Sequence, residues 1–226
     1  MNSNDTQTTS SDTSSLRDLF QVSDLRQRTK GQIIIFQGDQ INHFYYIKQG
    51  FVRVYVITDE GDERTLLILT GNDIFPLLKD PGSSSNKSIY FYEAVVDTEI
   101  YSIDQQDMIK NIQNSHEASW AMFSYVSKFS SILTARIAQL ESKSAEDKVE
   151  QLLEYLVGVC GRMIKPNVYK IQLKLTQQDI ANLIGHTRET ASLTIKKLRR
   201  QGVISYKDGY VVYYRASDSK TKFLEN

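Results

Sequence analysis

The densest run of side chains able to do chemistry is Thr187-Arg188-Glu189-Thr190, followed by Ser192, Lys196, Lys197, Arg199 and Arg200. Hydroxyls, a carboxylate and a series of cations on one short stretch make a polar, basic surface. It suits hydrogen bonding and charge recognition, in size and polarity, in a DNA major groove. Holding such a surface outward needs a helix whose other side is apolar, and Ala191, Ile195 and Leu198 supply that side at helical spacing. Just before it, Thr176 and Asp179 form a capping-box-like start to another helix, with Ile180, Leu183 and Ile184 on one face. Gly185 ends that helix, where a left-handed residue without a side chain costs little, and Thr187 caps the next. Residues 175–204 therefore read as a helix-turn-helix. The stretch ISYKDGYVVYY beyond it reads as two short strands about Asp208-Gly209, a β-hairpin wing.

The chain of 226 residues has a net charge of zero, which would argue against a polyanionic partner. The charge is unevenly placed, however. Residues 1–141 hold 12 Lys and Arg against 18 Asp and Glu, a net of −6, and residues 142–226 hold 15 against 9, a net of +6. The basic C-terminal third restores the case for nucleic acid. No apolar run approaches the roughly 20 residues of a membrane-spanning helix. The polar N-terminus lacks the apolar core of a secretory signal, so a cytoplasmic location is expected and no membrane partner. The lone Cys160 excludes an internal disulfide framework and cannot by itself supply a cysteine-ligated cluster or zinc site, and it reads as packing. No metal and no cofactor is expected.

In chain order, residues 1–15 contain no apolar residue after Met1 and read as a disordered tail. Residues 16–28 can form a short amphipathic helix through Leu16, Leu19, Phe20 and Leu25. From Gly31 the period changes to short β-branched and aromatic runs punctuated by Gly38, Gly50, Gly61 and Gly71, the pattern of an all-β sandwich or barrel. Residues 59–62 read as a hairpin turn, 89–96 and 99–103 as further strands, and 79–87 as a flexible loop. Residues 105–141 turn helical, and Met122, Val126, Phe129, Leu133, Ile137 and Leu140 form a stripe spaced 4-3-4-4-3. Such a seam can pair with a copy of itself or pack on its own β-domain. A second edge through Trp120 and Phe123 can serve the latter contact, leaving the first for a dimer. Ser144 and Asp147 can cap a new helix through Val149, Leu152, Leu153 and Leu156, which places a hinge at 141–145.

A glycine-punctuated β-roll, one long helix, a short hinge and a winged helix-turn-helix, in that order, resemble the CRP/FNR superfamily of bacterial transcription regulators. The resemblance covers about residues 16–216. It is most specific at Gly185-His186-Thr187-Arg188-Glu189-Thr190, then Ser192, Lys196-Lys197-Leu198 and Gly202-Val203-Ile204-Ser205, which look like the family's recognition helix with its G-x-[ST]-R-E-T opening. The fold class implied is α+β: a cyclic-nucleotide-binding-like β-roll (jelly roll) over 16–115, a dimerisation helix over 116–141 and a winged helix-turn-helix DNA-binding domain over 142–226. The resemblance implies that Arg188 and Glu189 enter the major groove, with Arg paired to guanine and the carboxylate accepting from cytosine. Thr187, Thr190 and Gln178 would bond phosphates, Ser192 and Lys196 would lie along the same helix, and Lys207 would touch phosphate from the wing. Many members carry arginine directly after the small residue at Ser192. Here it is Leu193, which cannot pair with guanine but can touch a thymine methyl or pack inward, so the DNA site should differ at that base pair.

The sensor half departs further. Cyclic-nucleotide-binding members place a Gly-Glu pair where this chain reads Phe75-Pro76-Leu77, and an Arg-Ser pair near Ser88-Ile89. No arginine occurs between Arg64 and Arg136, so bidentate recognition of a cyclic phosphate is gone. A pocket for some other ligand could use Phe75, Lys87, Tyr90 and Tyr92, with Leu133 and Thr134 at the helix position that often faces the purine. The expected function is a homodimeric, sequence-specific regulator on a palindromic operator, controlled by a signal other than cyclic AMP. RNA polymerase stands as a further partner with no surface assigned to it. Three alternatives remain open: an effector-independent regulator, a cupin-type enzyme with an appended DNA-binding module, and a winged helix that contacts protein. The scattered His43, His116 and His186 disfavour the enzyme, because cupins hold metal with clustered histidines.

Overall fold

The computed structural model describes residues 16–20, 23–77, 86–141 and 144–216. The tail over 1–15, most of the loop over 79–87 and residues 142–143 of the expected hinge lie outside the described residues. The chain divides into two compact units. The first takes the chain to Ile57 and Leu66–Ser131, and the second takes Thr58–Thr65 and everything from Ile132 onward.

The N-terminal β-branched and aromatic runs make β1 (Arg26–Arg28), β2 (Ile33–Ile35), β3 (His43–Gln49), β4 (Phe51–Ile57), β5 (Glu63–Thr70), β6 (Ile74–Phe75), β7 (Phe91–Ala94) and β8 (Thr98–Asp104), all in the first unit but for the start of β5. They form two four-stranded sheets, ordered β1-β8-β3-β6 and β2-β7-β4-β5. Period-two alternation turns Val52 and Val54 of β4 and Tyr92 and Ala94 of β7 inward, and burial of each valine is worth ~1.5–3 kcal/mol. Gly50 shows why glycine punctuates the roll. Its φ is 107°, and a Cβ there would lie 2.4 Å from Thr98 Oγ1 and 2.8 Å from Thr98 Cα.

The expected helix over 16–28 is not what forms. Of the described residues of this segment only 16–18 are helical, and Arg26–Arg28 become β1, paired antiparallel with β8 in the register Arg26↔Ile100. The open edge of β8 competes for this segment and wins, since it satisfies backbone groups that a short isolated helix would leave to water. Leu16, Leu19 and Phe20 are nevertheless buried as the pattern required, while Leu25 is exposed.

After β8, Asp104 caps α1 (Gln105–Asn114) by accepting from Gln106 N at 2.8 Å, and α2 (His116–Leu140) follows. The face of α2 turned to the roll is Ala118, Ala121 and Tyr125, which join Leu16, Leu19, Phe20, Tyr46, Ile74 and Met108 in one core cluster. Phe129 is also buried, stacked on Tyr125 with ring centroids 6.2 Å apart. This corrects the two-edge reading of the helix. Trp120 and Phe123, assigned to the β-domain, are 63% and 64% exposed, whereas Phe129 and the half-buried Met122, assigned to the free seam, pack inside. The physical reason is polar as well as apolar. Tyr125 Oη accepts a hydrogen bond from Ile74 N at 2.8 Å and shares its own proton between Asp73 Oδ1 and the Ile74 carbonyl, both at 3.3 Å. That fixes the rotation of α2.

In the second unit, α3 (Ala145–Cys160) begins at Ser144, whose Oγ accepts from Asp147 N at 3.0 Å as the cap pattern implied. α4 (Gln177–Ile184) and α5 (Arg188–Arg200) follow. A four-stranded sheet, β11-β12-β10-β9, is built from β9 (Gly161–Lys165), β10 (Val168–Ile171), β11 (Ile204–Lys207) and β12 (Tyr210–Tyr214). The wing is thus the outer half of a larger sheet, whose other half is the β9–β10 hairpin.

The Tyr125 contact leaves Asp73 half-buried, with its carboxyl turned to the helix. Burial pushes its carboxyl above the ordinary 3.8, against the opposing pull of the Thr70 backbone N–H, Lys128 and Tyr125. A carboxyl raised in the folded state contributes stability that is fully present below its unfolded pKa and is lost as pH rises through the folded one. The wild-type protein should therefore gain stability relative to Asp73→Asn as pH falls from about 7 to about 4. Parallel urea melts that show a constant difference between the two across this range would contradict the assignment.

Candidate nucleic-acid interface

The helix-turn-helix is set by three local devices. Thr176 and Asp179 make a complete capping box, with Asp179 N bonded to Thr176 Oγ1 at 3.1 Å and Thr176 N bonded to Asp179 Oδ2 at 2.8 Å. Gly185 ends α4 in the left-handed region at φ 68°, where the His186 N–H turns back to the Ala181 carbonyl at 3.1 Å. Thr187 then caps α5 by accepting from Thr190 N at 3.3 Å. Ala191, Ile195 and Leu198 are buried against the same core as Ile180, Leu183, Ile184 and the α3 residues Val149, Leu152 and Leu156. With that face fixed, Arg188, Glu189, Leu193, Lys196 and Arg200 are left exposed on the other.

Two further contacts hold the frame. Arg136, buried on α2, donates from Nη2 to the Leu183 carbonyl at the end of α4 and lies 5.4 Å from the Tyr155 ring centroid. On the sheet side, Glu154 of α3 accepts from Tyr213 Oη at 2.8 Å and from Arg215 Nε at 3.0 Å, while the Arg215 guanidinium lies 4.6 Å from the Tyr169 ring centroid. The hydrogen bond from Tyr213 and the neighbouring carboxylates add to burial in holding the phenol neutral.

The residues read from sequence as DNA contacts divide by what already holds them. Arg188 and Glu189 are exposed at the start of α5, and among the described residues neither makes an ion pair. Gln178 is exposed and donates from Nε2 to Asn182 Oδ1 at 2.7 Å, which orients its amide. The Thr187 and Thr190 hydroxyls lie 3.0 Å apart and bond each other, Thr190 being half-buried. Ser192 is half-buried on the flank of α5, and Lys196 is exposed. Of the other cations, Lys197 pairs with Glu146 at the start of α3, and Arg199 lies 5.5 Å from the Tyr206 ring centroid. Both are therefore engaged within the unit.

Lys207 is exposed on the wing, next to a turn in which Asp208 and Gly209 both have positive φ, 55° and 80°. The structure adds two cations that sequence reading missed. Lys170 Nζ and Lys174 Nζ lie 4.1 and 5.2 Å from the Tyr210 ring centroid, so three lysines gather about the wing. Their grouping depends on the pairing of β10 with β12, which no local motif announces.

The residues named for an effector pocket are not assembled in the same way. Phe75 and Tyr92 are fully buried, stacked with centroids 5.3 Å apart and planes at 15°, and Tyr45 stacks on Phe75 at 5.1 Å. They pack as core rather than line an open site, because each ring finds another ring. Tyr90 is half-buried beside Ser88, Lys87 is exposed, and half-buried Leu133 and exposed Thr134 belong to the second unit. Among the described residues no group of three or more His, Cys, Asp or Glu could hold a metal ion, and no helix is long and apolar enough to cross a membrane.

A roll of two sheets joined by a long helix to a winged helix-turn-helix defines a regulator architecture, and comparison with known proteins agrees. Residues 25–115 match the cyclic nucleotide-binding domain, and residues 150–215 match the Crp-like helix-turn-helix domain. The chain is 29% identical over 180 residues to the global nitrogen regulator of Nostoc sp., covering 78% of each protein. It is 24% identical over 192 residues to the cAMP-activated global transcriptional regulator Vfr of Pseudomonas aeruginosa, covering 84% of this chain and 88% of that one. The c-di-GMP responsive global regulator CLP of Xanthomonas campestris shares the fold with a TM-score of 0.72 at 20% identity, over 90% of this chain and 99% of that one. FixK2 of Bradyrhizobium japonicum does so with a TM-score of 0.70 at 18% identity, over 86% and 93%. The chain belongs to the CRP/FNR superfamily of transcription regulators, with a DNA-binding helix-turn-helix, and is not a barrel enzyme.

Leu198, fully buried on the inner face of α5, should be the most sensitive support of this surface. Leu198→Ala is expected to destabilise the second unit by about 2–5 kcal/mol, whereas Arg188→Ala, on the exposed side, should leave the melt unchanged within about 0.5 kcal/mol. Thermal denaturation of both variants checks the pair, and equal effects would mean that the two faces of α5 are misassigned.

Proposed function

We propose that this protein is a homodimeric, sequence-specific regulator that binds a palindromic operator, one α5 per subunit entering successive major grooves about one helical turn apart. The observation that carries this reading is the division of α5 into a buried apolar face and an exposed face led by Arg188 and Glu189, both without an ion pair among the described residues. Arg188 offers a bidentate donor pair to guanine O6 and N7, and Glu189 accepts from cytosine N4. Thr187, Thr190, Gln178, Ser192, Lys196 and Lys207 supply backbone contacts that fix register, with Lys170 and Lys174 extending the positive field at the wing.

The dimer reading rests on α2. With Phe129 and Met122 packed inside, a seam beyond the exposed Trp120 runs through exposed Phe123, Val126, Ile137 and Leu140 and half-buried Leu133, with Ser130 between. The spacing of these six is 3-4-3-4-3, the 3.5-residue period of a two-stranded coiled coil, which the uncorrected stripe lacks. Pairing two such helices covers residues as exposed as Ile137, at 61%.

The controlling signal in this reading is not cyclic AMP, although some relatives are named for activation by it. No arginine lies between Arg64 and Arg136, and fully buried Phe75 stands where the resemblance places the Gly-Glu pair. One observation favours a second version, a regulator that needs no effector: Tyr45, Phe75 and Tyr92 stack on one another, so residues named for a pocket are engaged with their own neighbours.

Arg188→Ala should weaken binding to a selected operator by about 1–3 kcal/mol while leaving binding to random duplex nearly unchanged. An unaltered operator affinity would sink the assignment of Arg188 as a base reader. Ile137→Glu, which faces like charges across the seam, should raise the dimer dissociation constant by at least about ten-fold, or ~1.4 kcal/mol. Sedimentation that finds the variant as dimeric as the wild type would exclude this face of α2 as the interface.

A further inference from the structure

The sequence leaves two fates open for Leu193, packing inward or standing in the groove. The structure decides between them. Leu193 is 68% exposed, the most exposed of the large hydrophobic residues among those described. It lies four residues after Glu189 and three before Lys196, on the strip of α5 that also carries Arg200, and opposite the buried Ala191 and Leu198. At 1.5 Å per residue, it sits about 6 Å further along the helix than Glu189. An exposed leucine alone says little. Here, however, it is an apolar side chain amid charged neighbours, on the face that closes against DNA in the reading above. Complex formation strips water from this strip, so the leucine must meet something that does not need to hydrogen-bond.

Base-pair edges in the major groove present acceptors, donors, the small C5–H of cytosine and one projecting apolar group, the C5-methyl of thymine. A leucine set against any other edge would desolvate a donor or acceptor and return no hydrogen bond. We infer that Leu193 is a specificity-determining residue that reads a thymine methyl in each half-site, displaced along the groove from the base pair read by Glu189. The inference rests on the DNA-binding reading above and adds to it the identity of one base. The half-site then combines two kinds of readout: polar at the pairs met by Arg188 and Glu189, and apolar at the pair met by Leu193.

The test begins with operators selected from a random duplex library by the full chain, with and without a small-molecule extract of its expression host. Thymine should be enriched at one fixed position per half-site. Replacing that thymine by deoxyuridine removes only the methyl, and should weaken wild-type binding by about four-fold per half-site, the equivalent of one buried carbon. Leu193→Ala should bind the thymine and deoxyuridine operators equally, and Leu193→Arg should select a guanine at that position. The proposal is overturned alone if operators are enriched and Arg188→Ala weakens them, but deoxyuridine changes nothing or affects wild type and Leu193→Ala alike. If no sequence is enriched under either condition, the DNA-binding reading falls and this inference with it.

Discussion

The hydrogen bond from Ile74 N to the Tyr125 hydroxyl settles more of this molecule than its single donor suggests. A helix of 25 residues rich in apolar side chains can lie on a β-roll in several rotations, each burying a similar area. Only one rotation brings a hydroxyl to the free backbone N–H of Ile74 and shields Asp73. An unmet buried N–H costs about 1–3 kcal/mol, enough to choose among rotations that burial alone leaves nearly equal. Once that choice is made, small Ala118 and Ala121 let the helix approach the roll, and Trp120, Phe123, Val126, Ile137 and Leu140 are turned outward.

The second unit follows a different logic, in which neighbours in sequence do most of the positioning. Capping box, left-handed glycine and threonine cap lie within fifteen residues and orient α5 before any distant contact is made. The longer-range contacts add rigidity. Arg136 holds the end of α4, and Glu154 clamps the sheet to α3 through Tyr213 and Arg215. Cations that look equivalent in sequence are sorted by these contacts. Lys197 and Arg199 are engaged within the unit, while Lys196 is exposed.

This difference explains what could be read from the chain. The helix-turn-helix was legible almost residue by residue, because caps and αL glycines are local signals with local causes. The order of roll, helix and winged domain was legible from period changes and glycine spacing. The phase of α2 was not, since a hydrophobic stripe counts Phe129 and Ile137 alike and ignores Tyr125 and the alanines that decide the contact. Nor was β1, whose pairing is decided by β8 far downstream, or the β9–β10 hairpin, whose Pro166-Asn167 turn carries no glycine and whose β9 residues are mostly exposed. Phe75 and Tyr92 read in sequence as residues for a pocket, and the mutual stacking of their rings is visible only in three dimensions.

The antiparallel pairing of β1 with β8 has a consequence for how the chain reaches its fold. Arg26 meets Ile100, so the first sheet cannot close until a strand far downstream has been made and has returned. Closing so long a loop is an entropic search completed late, and it slows folding more than it affects final stability. On a growing chain, β1 and β3 wait for β8 with their edges unpaired, and those edges are templates for aggregation in the interval. The contacts of the helix-turn-helix span only a few tens of residues and can form as soon as they are synthesised. Nascent-chain quality control therefore has its work at the N-terminal half of this protein.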